Sequence, residues 1–149
     1  MDNNDYFQNS CLCINMRHIT NVITKLYDKY LEPSGLTVSQ YSLLRHIQRY
    51  QPCSIETLAS SMFIDRTTIS RTLKPLAPKG LFEDISPENS RCHMYQLTEK
   101  GEQFVTEARK LWLQAQSKIE TTLGPENTDA LVALLSELSV LENIDDEQL

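Results

Sequence analysis

The sequence predicts a mainly helical protein of about six helices with one small two-stranded β ribbon, in a single domain of 149 residues. Two observations predict this class. Apolar residues recur at the three- and four-residue spacing of helices along most of the chain. Between residues 81 and 97 the pattern changes to two short strands separated by a turn-rich segment.

Two helices are predicted in the N-terminal third. Apolar side chains at helical spacing span about residues 10–31, and the helix should stop before Pro33, because the residue preceding a proline disfavours helical geometry. A second helix should begin after Thr37, with Thr37 or Ser39 as its cap, and should end at Pro52.

Two shorter helices follow, joined by a tight turn at residues 62–65. Ser54 is the expected N-cap of the third helix, and Asp65 is that of the fourth, which should run over about residues 66–77. Pro75 lies late in the fourth helix, so its last turn should be bent or loosened. Two helices in this arrangement form a helix-turn-helix.

The predicted strands span Leu81–Ile85 and Cys92–Leu97, and a ribbon of two strands needs helices to pack against. A fifth helix should start at the Thr98 cap and break at Gly124, and a leucine-rich sixth helix follows. A helix-turn-helix followed by a ribbon is a winged helix-turn-helix. The amphipathic first, fifth and sixth helices are then available to pair with a second copy of the chain.

The charge distribution favours one basic region in an acidic protein. A net charge of −6 taken alone argues against nucleic-acid binding. However, the stretch from Arg66 to Lys79 carries four cations, Lys74 among them, and no acidic residue, whereas the chain after Gly124 has seven acidic residues and no lysine or arginine. An acidic protein with such a local patch can still dock on phosphate.

Several classes of protein are not expected. No apolar run approaches the roughly 20 residues of a membrane span, and residues 1–10 lack a secretory pattern, so we expect a cytoplasmic protein without a membrane partner. The four cysteines show no zinc spacing, so neither a metal nor another cofactor is expected. The three histidines fall on separate elements and no catalytic motif appears, which predicts that the chain is no enzyme.

The fourth helix carries the residues best suited to meet duplex DNA. Ile69 and Leu73 should point inward at helical spacing. The N-terminal half of such a helix enters the major groove, where arginine can donate two bonds to guanine. The outer residues of this helix are hydroxyls and cations: Arg66, Thr67, Thr68, Ser70 and Arg71.

A further cation, Arg91, lies at the turn of the ribbon and could enter the minor groove. Two plainer interpretations remain open, a solvated helix face and a winged-helix module that contacts only proteins. The acidic composition is the best support for the second.

The order and spacing of short motifs resemble the multiple-antibiotic-resistance regulator (MarR) family over about residues 11–141. The family pattern combines a leucine-alanine pair, a polar recognition helix, a glycine-leucine pair, a wing arginine and Leu-Thr-x-x-Gly. The matching segments are Leu58-Ala59, Asp65-Arg66-Thr67-Thr68-Ile69-Ser70-Arg71, Gly80-Leu81, Asn89-Ser90-Arg91 and Leu97-Thr98-Glu99-Lys100-Gly101, with Gly35-Leu36-Thr37 and Gln40-Tyr41 at the entry to the second helix.

This resemblance implies a homodimer that binds a pseudo-palindromic operator in double-stranded DNA, usually as a repressor. It implies dimerisation through residues 10–32 and 102–145 and a DNA-binding lobe over residues 37–101. Arg91 is then the wing arginine, and Thr37 and Ser39 lie near the DNA backbone. The family's wing aspartate is replaced by Asn89 here, so we expect weaker wing contacts.

The N-terminal part is also similar to organic-hydroperoxide sensors of the OhrR type, through Leu12-Cys13, Thr24-Lys25-Leu26-Tyr27, Leu36-Thr37 and Gln40-Tyr41. That similarity implies that Cys13 is the oxidised residue and that Tyr27 bonds its sulfur. Two further tyrosines of those sensors are replaced by Arg17 and Val38, although Arg17 lies one helical turn after Cys13 and could stabilise a thiolate. The other interpretation makes Cys13 a small buried apolar residue.

A small aromatic ligand is the alternative signal. Side chains that could line a ligand pocket come from the first, second and fifth helices: Tyr27, Tyr30, Tyr41, His46 and Trp112. Ordinary core packing is the competing explanation for each of them. Either signal would act by changing the spacing of two recognition helices, which must lie roughly 34 Å apart to fill successive major grooves.

Overall fold

The computed structural model describes Phe7 and residues 11–143 of the chain, with side chains of the second range up to residue 142. Within them the order is six helices with a two-stranded sheet between the fourth and fifth, which confirms the predicted fold class. The elements are α1 (Leu12–Leu31), α2 (Val38–Tyr50), α3 (Ile55–Met62), α4 (Arg66–Leu73), β1 (Phe82–Asp84), β2 (Tyr95–Leu97), α5 (Glu99–Leu123) and α6 (Pro125–Leu138). The start predicted for α1 at residue 10 lies outside the described residues.

Three helix starts are fixed by the predicted caps. The Thr37 side chain accepts a hydrogen bond from the backbone N–H of Gln40, whose own side chain accepts from the N–H of Thr37, so α2 begins with a complete capping box. The side chain of Ser54 caps α3 by accepting the backbone N–H of Thr57, and that of Asp65 caps α4 by accepting the backbone N–H of Thr68. Local hydrogen bonding therefore places the two short helices of the helix-turn-helix.

Two predicted boundaries are wrong. Helix α4 ends at Leu73 rather than near Ala77, because Pro75 provides no N–H to continue it, and a separate 3₁₀ turn at Ala77–Lys79 follows. The strands are also shorter than predicted, at three residues each. Beyond the strands, the N–H of Ile85 still donates to the carbonyl of Met94, and the tip then makes a local turn bond from the N–H of Ser90 to the carbonyl of Pro87.

The ribbon pairs antiparallel, with Phe82 opposite Leu97 and Asp84 opposite Tyr95. Its second strand also pairs with Cys53. The N–H of Tyr95 donates to the carbonyl of Cys53 at 2.8 Å, and the N–H of Cys53 donates to the carbonyl of Tyr95 at 3.0 Å. This bridge ties the ribbon to the segment after α2 and supplies the support that an isolated pair of strands lacks.

The core of the helix-turn-helix lobe is formed by aliphatic side chains from every helix that surrounds it. Leu31 of α1 and Val105 of α5 pack with residues of α2, α3 and α4. Fully buried members of this cluster are Leu31, Leu43, Leu44, Ile47, Leu58, Ile69, Leu76, Leu81 and Val105. This core fixes the faces that α4 and β2 leave exposed.

The described chain divides into two compact units, one ending at Trp112 and the other starting at Leu113. The second unit holds the end of α5 and all of α6. Helix α6 has no buried residue, and its exposed apolar side chains include Leu131, Val132, Leu134, Leu135 and Leu138. None of the described helices is both long enough and apolar enough to span a bilayer.

Candidate functional site

Helix α4 presents one polar face to solvent. Ile69 and Leu73 are buried, at 1% and 6% exposure, and they anchor the inner side of the helix in the core. The side chains on the opposite face are exposed: Arg66, Thr67, Ser70, Arg71 and Lys74. The face therefore combines three cations with two hydroxyls, a composition suited to base edges and phosphates.

Thr68 differs from its neighbours on α4, because it is half-buried and its polar groups serve the helix cap. Its backbone N–H donates to one oxygen of Asp65 at 2.8 Å, and its hydroxyl donates to the other at 2.7 Å. These two bonds favour the charged carboxylate and lower the pKa of Asp65. Thr68 thus has less freedom to contact DNA than its place on α4 predicts.

Arg66 is held by a salt bridge to Glu56 of α3 at 3.2 Å. Both side chains are more than half exposed, so the pair contributes little to stability. The carboxylate orients the guanidinium at the start of α4 and leaves it able to exchange partners for a phosphate.

The base of the wing is organised by Asp84, whose carboxylate accepts three hydrogen bonds. The backbone N–H of Ser86 donates at 2.9 Å, and the Ser86 hydroxyl and Nδ1 of His93 also donate to it. The two Ser86 bonds, followed by the bond and charge of His93, lower the pKa of Asp84 from 3.8 to about 2. These contacts tie β1 to the segment before β2.

The tip of the wing carries Arg91, which is exposed. Asn89 adopts a left-handed conformation with φ of 63°, a geometry that asparagine tolerates better than most residues. Thr37 and Ser39 at the start of α2 are exposed as well, and the hydroxyl of Thr37 is engaged in its capping box.

A cleft of about 500 Å³ opens between α1, α2 and α5. Trp112 stacks between Tyr27 and Tyr41, with ring centroids 6.1 and 6.3 Å apart. Burial raises the pKa of Tyr41, and the positive charges of Arg45 and Arg109 oppose that rise. The cleft thus joins an aromatic wall to two cations, a combination that fits a flat anionic ligand.

The predicted lining of this cleft needs two corrections. Tyr30 is half-buried on α1 and does not line it. His46 lines a second cavity with Arg45, Gln48 and Arg49, where its ring stacks on Tyr50 and its Nδ1 lies 2.8 Å from the carbonyl of Ser42. Helical spacing explains the error, because His46 is five residues from Tyr41 and therefore turns away from it.

Sequence reasoning missed the cations of the cleft. Arg45 lies four residues after Tyr41, and Arg109 lies three residues before Trp112. Both spacings place an arginine on the same helix face as the aromatic residue, so the signal was present in the sequence. The side-chain hydrogen bonds that connect Arg45 through Gln48 to α5 could not be predicted from the sequence.

The predicted redox pair does not meet within one protomer. Cys13 and Tyr27 lie on the continuous helix α1, 14 residues apart, which corresponds to about 21 Å along the axis. Cys13 is exposed rather than buried, and so are Arg17 and Cys11, which precedes the first turn of the helix. A bond between the Cys13 sulfur and the Tyr27 hydroxyl would have to form between two copies of the chain.

A metal centre is not apparent in the described part of the chain. Its His, Cys, Asp and Glu side chains form no group of three or more that could hold a metal ion.

Comparison with known proteins connects these features. The MarR family model matches residues 36–93, which hold the helix-turn-helix and most of the wing. The chain is 27% identical over 110 residues to the HTH-type transcriptional regulator BilQ of Clostridioides difficile, covering 72% of this chain and 74% of that protein. It is 26% identical to SarZ of Staphylococcus haemolyticus, covering 65% of this chain and 67% of that regulator.

Solved structures share the fold over most of the chain. The regulator MosR of M. tuberculosis, crystallised in complex with DNA, superposes with a TM-score of 0.74 and 27% identity, over 91% of this chain and 100% of MosR. MarR of E. coli superposes with a TM-score of 0.70 over 87% of this chain and 97% of its own, although only 21% of residues are identical, so that likeness concerns the fold.

Regulators of this family are transcription factors and not enzymes, which confirms the prediction made from the absence of catalytic motifs. The outer face of α4, the wing and the family match agree with one another. Residues 36–93 match the MarR family model and form a winged helix, and the proteins that the chain resembles are transcriptional regulators.

Proposed function

We propose that this regulator is a homodimeric repressor that binds a pseudo-palindromic operator and is released by a small-molecule signal. The exposed cationic face of α4 carries the proposal, because its buried side is fixed by Ile69 and Leu73. The 27% identity to MosR, which was crystallised with DNA, supports it.

The proposed division of labour places DNA contacts on residues 37–101. Arg71 and its neighbours on α4 would read base edges, whereas Arg91 would enter the minor groove and Thr37 and Ser39 would contact the backbone. Dimerisation is assigned to residues 10–32 and 102–145, of which residues 10, 144 and 145 lie outside those described. The exposed apolar side chains of α1 and α6 support that assignment.

The signal favoured by the cleft is a small aromatic anion. Its ring would pack on Trp112 and the two stacked tyrosines, and its negative charge would pair with Arg45 or Arg109. Such a ligand releases DNA only if it binds a conformation with another spacing of the recognition helices more tightly. A difference of about 3 kcal/mol would lower occupancy roughly a hundredfold.

An oxidant acting on Cys13 is the second candidate, favoured by the exposure of that thiol. The two candidates are separated by titrating operator binding with cumene hydroperoxide in the parent and in Cys13→Ser. If both lose DNA at the same peroxide concentration, Cys13 is not the sensor.

The DNA-binding proposal is tested by fluorescence anisotropy with a labelled duplex from the region upstream of the protein's own coding sequence. Arg71→Ala with Arg91→Ala should weaken binding by about 3 kcal/mol or more and lower the slope of log K against log salt by about one. The matched control, Arg49→Ala with Lys110→Ala, removes the same charge from other exposed positions.

Equal loss in both double variants would point to a nonspecific charge effect and contradict the site. No binding by the parent to any upstream fragment would instead favour a winged-helix module that contacts proteins.

A further inference from the structure

A continuous chain of side-chain hydrogen bonds runs from the aromatic cleft to the base of the wing. It starts at Arg45, which lines the cleft and whose Nη1 donates to Oε1 of Gln48. Nε2 of Gln48 donates to Oε2 of Glu102, and Nε2 of Gln51 donates to Oε1 of the same carboxylate at 2.9 Å. Oε1 of Gln51 then accepts the backbone N–H of Leu97, the last residue of β2, at 2.8 Å.

Glu102 sets the direction of every bond in this chain. An ionised carboxylate can only accept, so both glutamine amides must turn their NH₂ groups toward it. Their carbonyl oxygens are then aimed outward, one at Arg45 and the other at Leu97. Because Glu102, Gln48 and Gln51 are half-buried, replacement of these partners by water is hindered.

These hydrogen bonds connect the cleft with the wing, to which the proposed function gives separate roles. Arg45 is one of the two cations facing the cleft, and a carboxylate bound there would compete with Gln48 for its guanidinium. Leu97 closes β2, and the wing that carries Arg91 leads into this strand. Loss of the Arg45 bond would leave the Gln48 carbonyl without its donor and allow the amides around Glu102 to reorient.

We propose that Glu102 is a positioning residue that couples the engagement of Arg45 in the cleft to the position of β2 and the wing. The proposal rests on the function proposed above, because it gives the cleft and the wing their roles. It defines two states of this series of hydrogen bonds. In one state, Arg45 donates to Gln48 and the N–H of Leu97 donates to Gln51. In the other state, Arg45 binds a ligand and the bond between Leu97 and Gln51 is weakened.

The test is a double-mutant cycle on the full-length protein without DNA or ligand, so it is independent of whether an operator or inducer is known. Arg45→Met keeps the length of the side chain and removes its donors. In the parent background this change should shift the Leu97 amide resonance and raise its hydrogen-exchange rate about threefold. In the Glu102→Gln background, Arg45→Met should cause no further change in the resonance or the hydrogen-exchange rate of the Leu97 amide.

Arg49→Met is the matched control, since it removes an equal charge one turn farther along α2, from a side chain that packs on Tyr50 instead. The coupling is refuted if Arg49→Met moves the Leu97 amide as much as Arg45→Met, or if the effects of Arg45→Met and Glu102→Gln simply add. Should Glu102→Gln fail to fold, Gln48→Ala breaks the same chain one link earlier and must give the same non-additivity.

A second arm measures affinity for the operator fragment in the same four variants of the cycle. We expect Arg45→Met to change DNA affinity by about threefold in the parent and to have no effect in Glu102→Gln. An equal change in both backgrounds would show that the coupling does not reach DNA and would overturn this half of the inference. Coupling at Leu97 with no DNA binding in any variant would support the chain and reject the proposed function.

Discussion

At the residue scale, Phe63 occupies the turn between α3 and α4 in a left-handed conformation, with φ of 54° and 75% of its surface exposed. A residue with a side chain is strained there, because its Cβ crowds the following carbonyl oxygen. The turn is held by its neighbours, since the N–H of Ile64 donates to the carbonyl of Ala59 at 3.0 Å. Packing of the two helices therefore imposes the conformation on an unsuitable residue.

Phe63→Gly should raise the free energy of unfolding by about 0.5–1 kcal/mol, because glycine relieves the strain while little buried surface is lost. Urea denaturation followed by circular dichroism measures the change. Phe63→Ala is the control, as it removes the ring but keeps the strained Cβ. If the glycine variant is no more stable than the alanine variant, backbone strain at this position is negligible.

Gly101 explains the last glycine of the Leu-Thr-x-x-Gly pattern. It is buried in the first turn of α5, where a Cβ atom would lie only 1.9 Å from the carbonyl oxygen of Leu81. That carbonyl also accepts the N–H of Thr98 at 3.1 Å, so it cannot withdraw without breaking the connection between the ribbon and α5. Glycine is required here by close approach of two backbones rather than by an unusual φ.

Gly101→Ala should therefore lower the free energy of unfolding by about 3 kcal/mol, because the helix or the ribbon must shift to make room. Thermal denaturation of the variant tests this directly. Gln103→Ala, an exposed change two residues away in the same helix, should differ from the parent by less than about 0.5 kcal/mol. A similar loss in both variants would mean that this part of α5 is sensitive to any change.

At the element scale, the wing depends on Asp84 rather than on a carboxylate beside Arg91. The two Ser86 bonds and the His93 bond are all made to the ionised form of Asp84. Its hydrogen bonds show that it shapes the hairpin, while Asn89 supplies the left-handed turn residue.

These wing contacts should depend on pH in a defined direction. The folded pKa of Asp84, about 2, lies below the ordinary value of 3.8, so the contacts are complete above about pH 3.8 and are lost as the pH falls through about 2. The Ser86 amide resonance, followed by NMR, should move with an apparent pKa near 2. Asp84→Asn should abolish this titration, and a midpoint near 4 in the parent would contradict the hydrogen bonding described here.

At the scale of the whole molecule, the apolar surface is distributed in a way that a monomer would not favour. Helix α1 exposes Leu12, Ile14 and Val22, and α6 exposes the four leucines between residues 131 and 138. Exposed apolar surface of this extent marks an interaction site, which agrees with the proposed dimer.

Leu135→Glu should shift the protein toward monomer, since each dimer would lose two apolar contacts and bury two charges. If each leucine contributes about 1.5 kcal/mol, the dimer dissociation constant should rise roughly a hundredfold. Sedimentation velocity over a range of concentrations measures this. Glu137→Gln, on the same helix, changes charge without removing a leucine, and equal dissociation in both variants would argue against an apolar interface.

Much of the architecture could be predicted because its signals are local. The caps Thr37, Ser54 and Asp65 and the burial of Ile69 and Leu73 all follow from residues within a few positions of one another. The end of α4 was less predictable, because a proline can either bend a helix or stop it.

Sequence alone thus determined the element order, the inner and outer faces of α4 and the family that these features resemble. Only the tertiary structure decided that α1, α2 and α5 enclose a cleft lined by Arg45 and Arg109, and that Gln48 and Gln51 both donate to Glu102 of α5. The physical reason is distance along the chain. Periodicity and capping act between near neighbours, whereas Gln48 and Glu102 are 54 residues apart and meet only because the core packs α2 against α5.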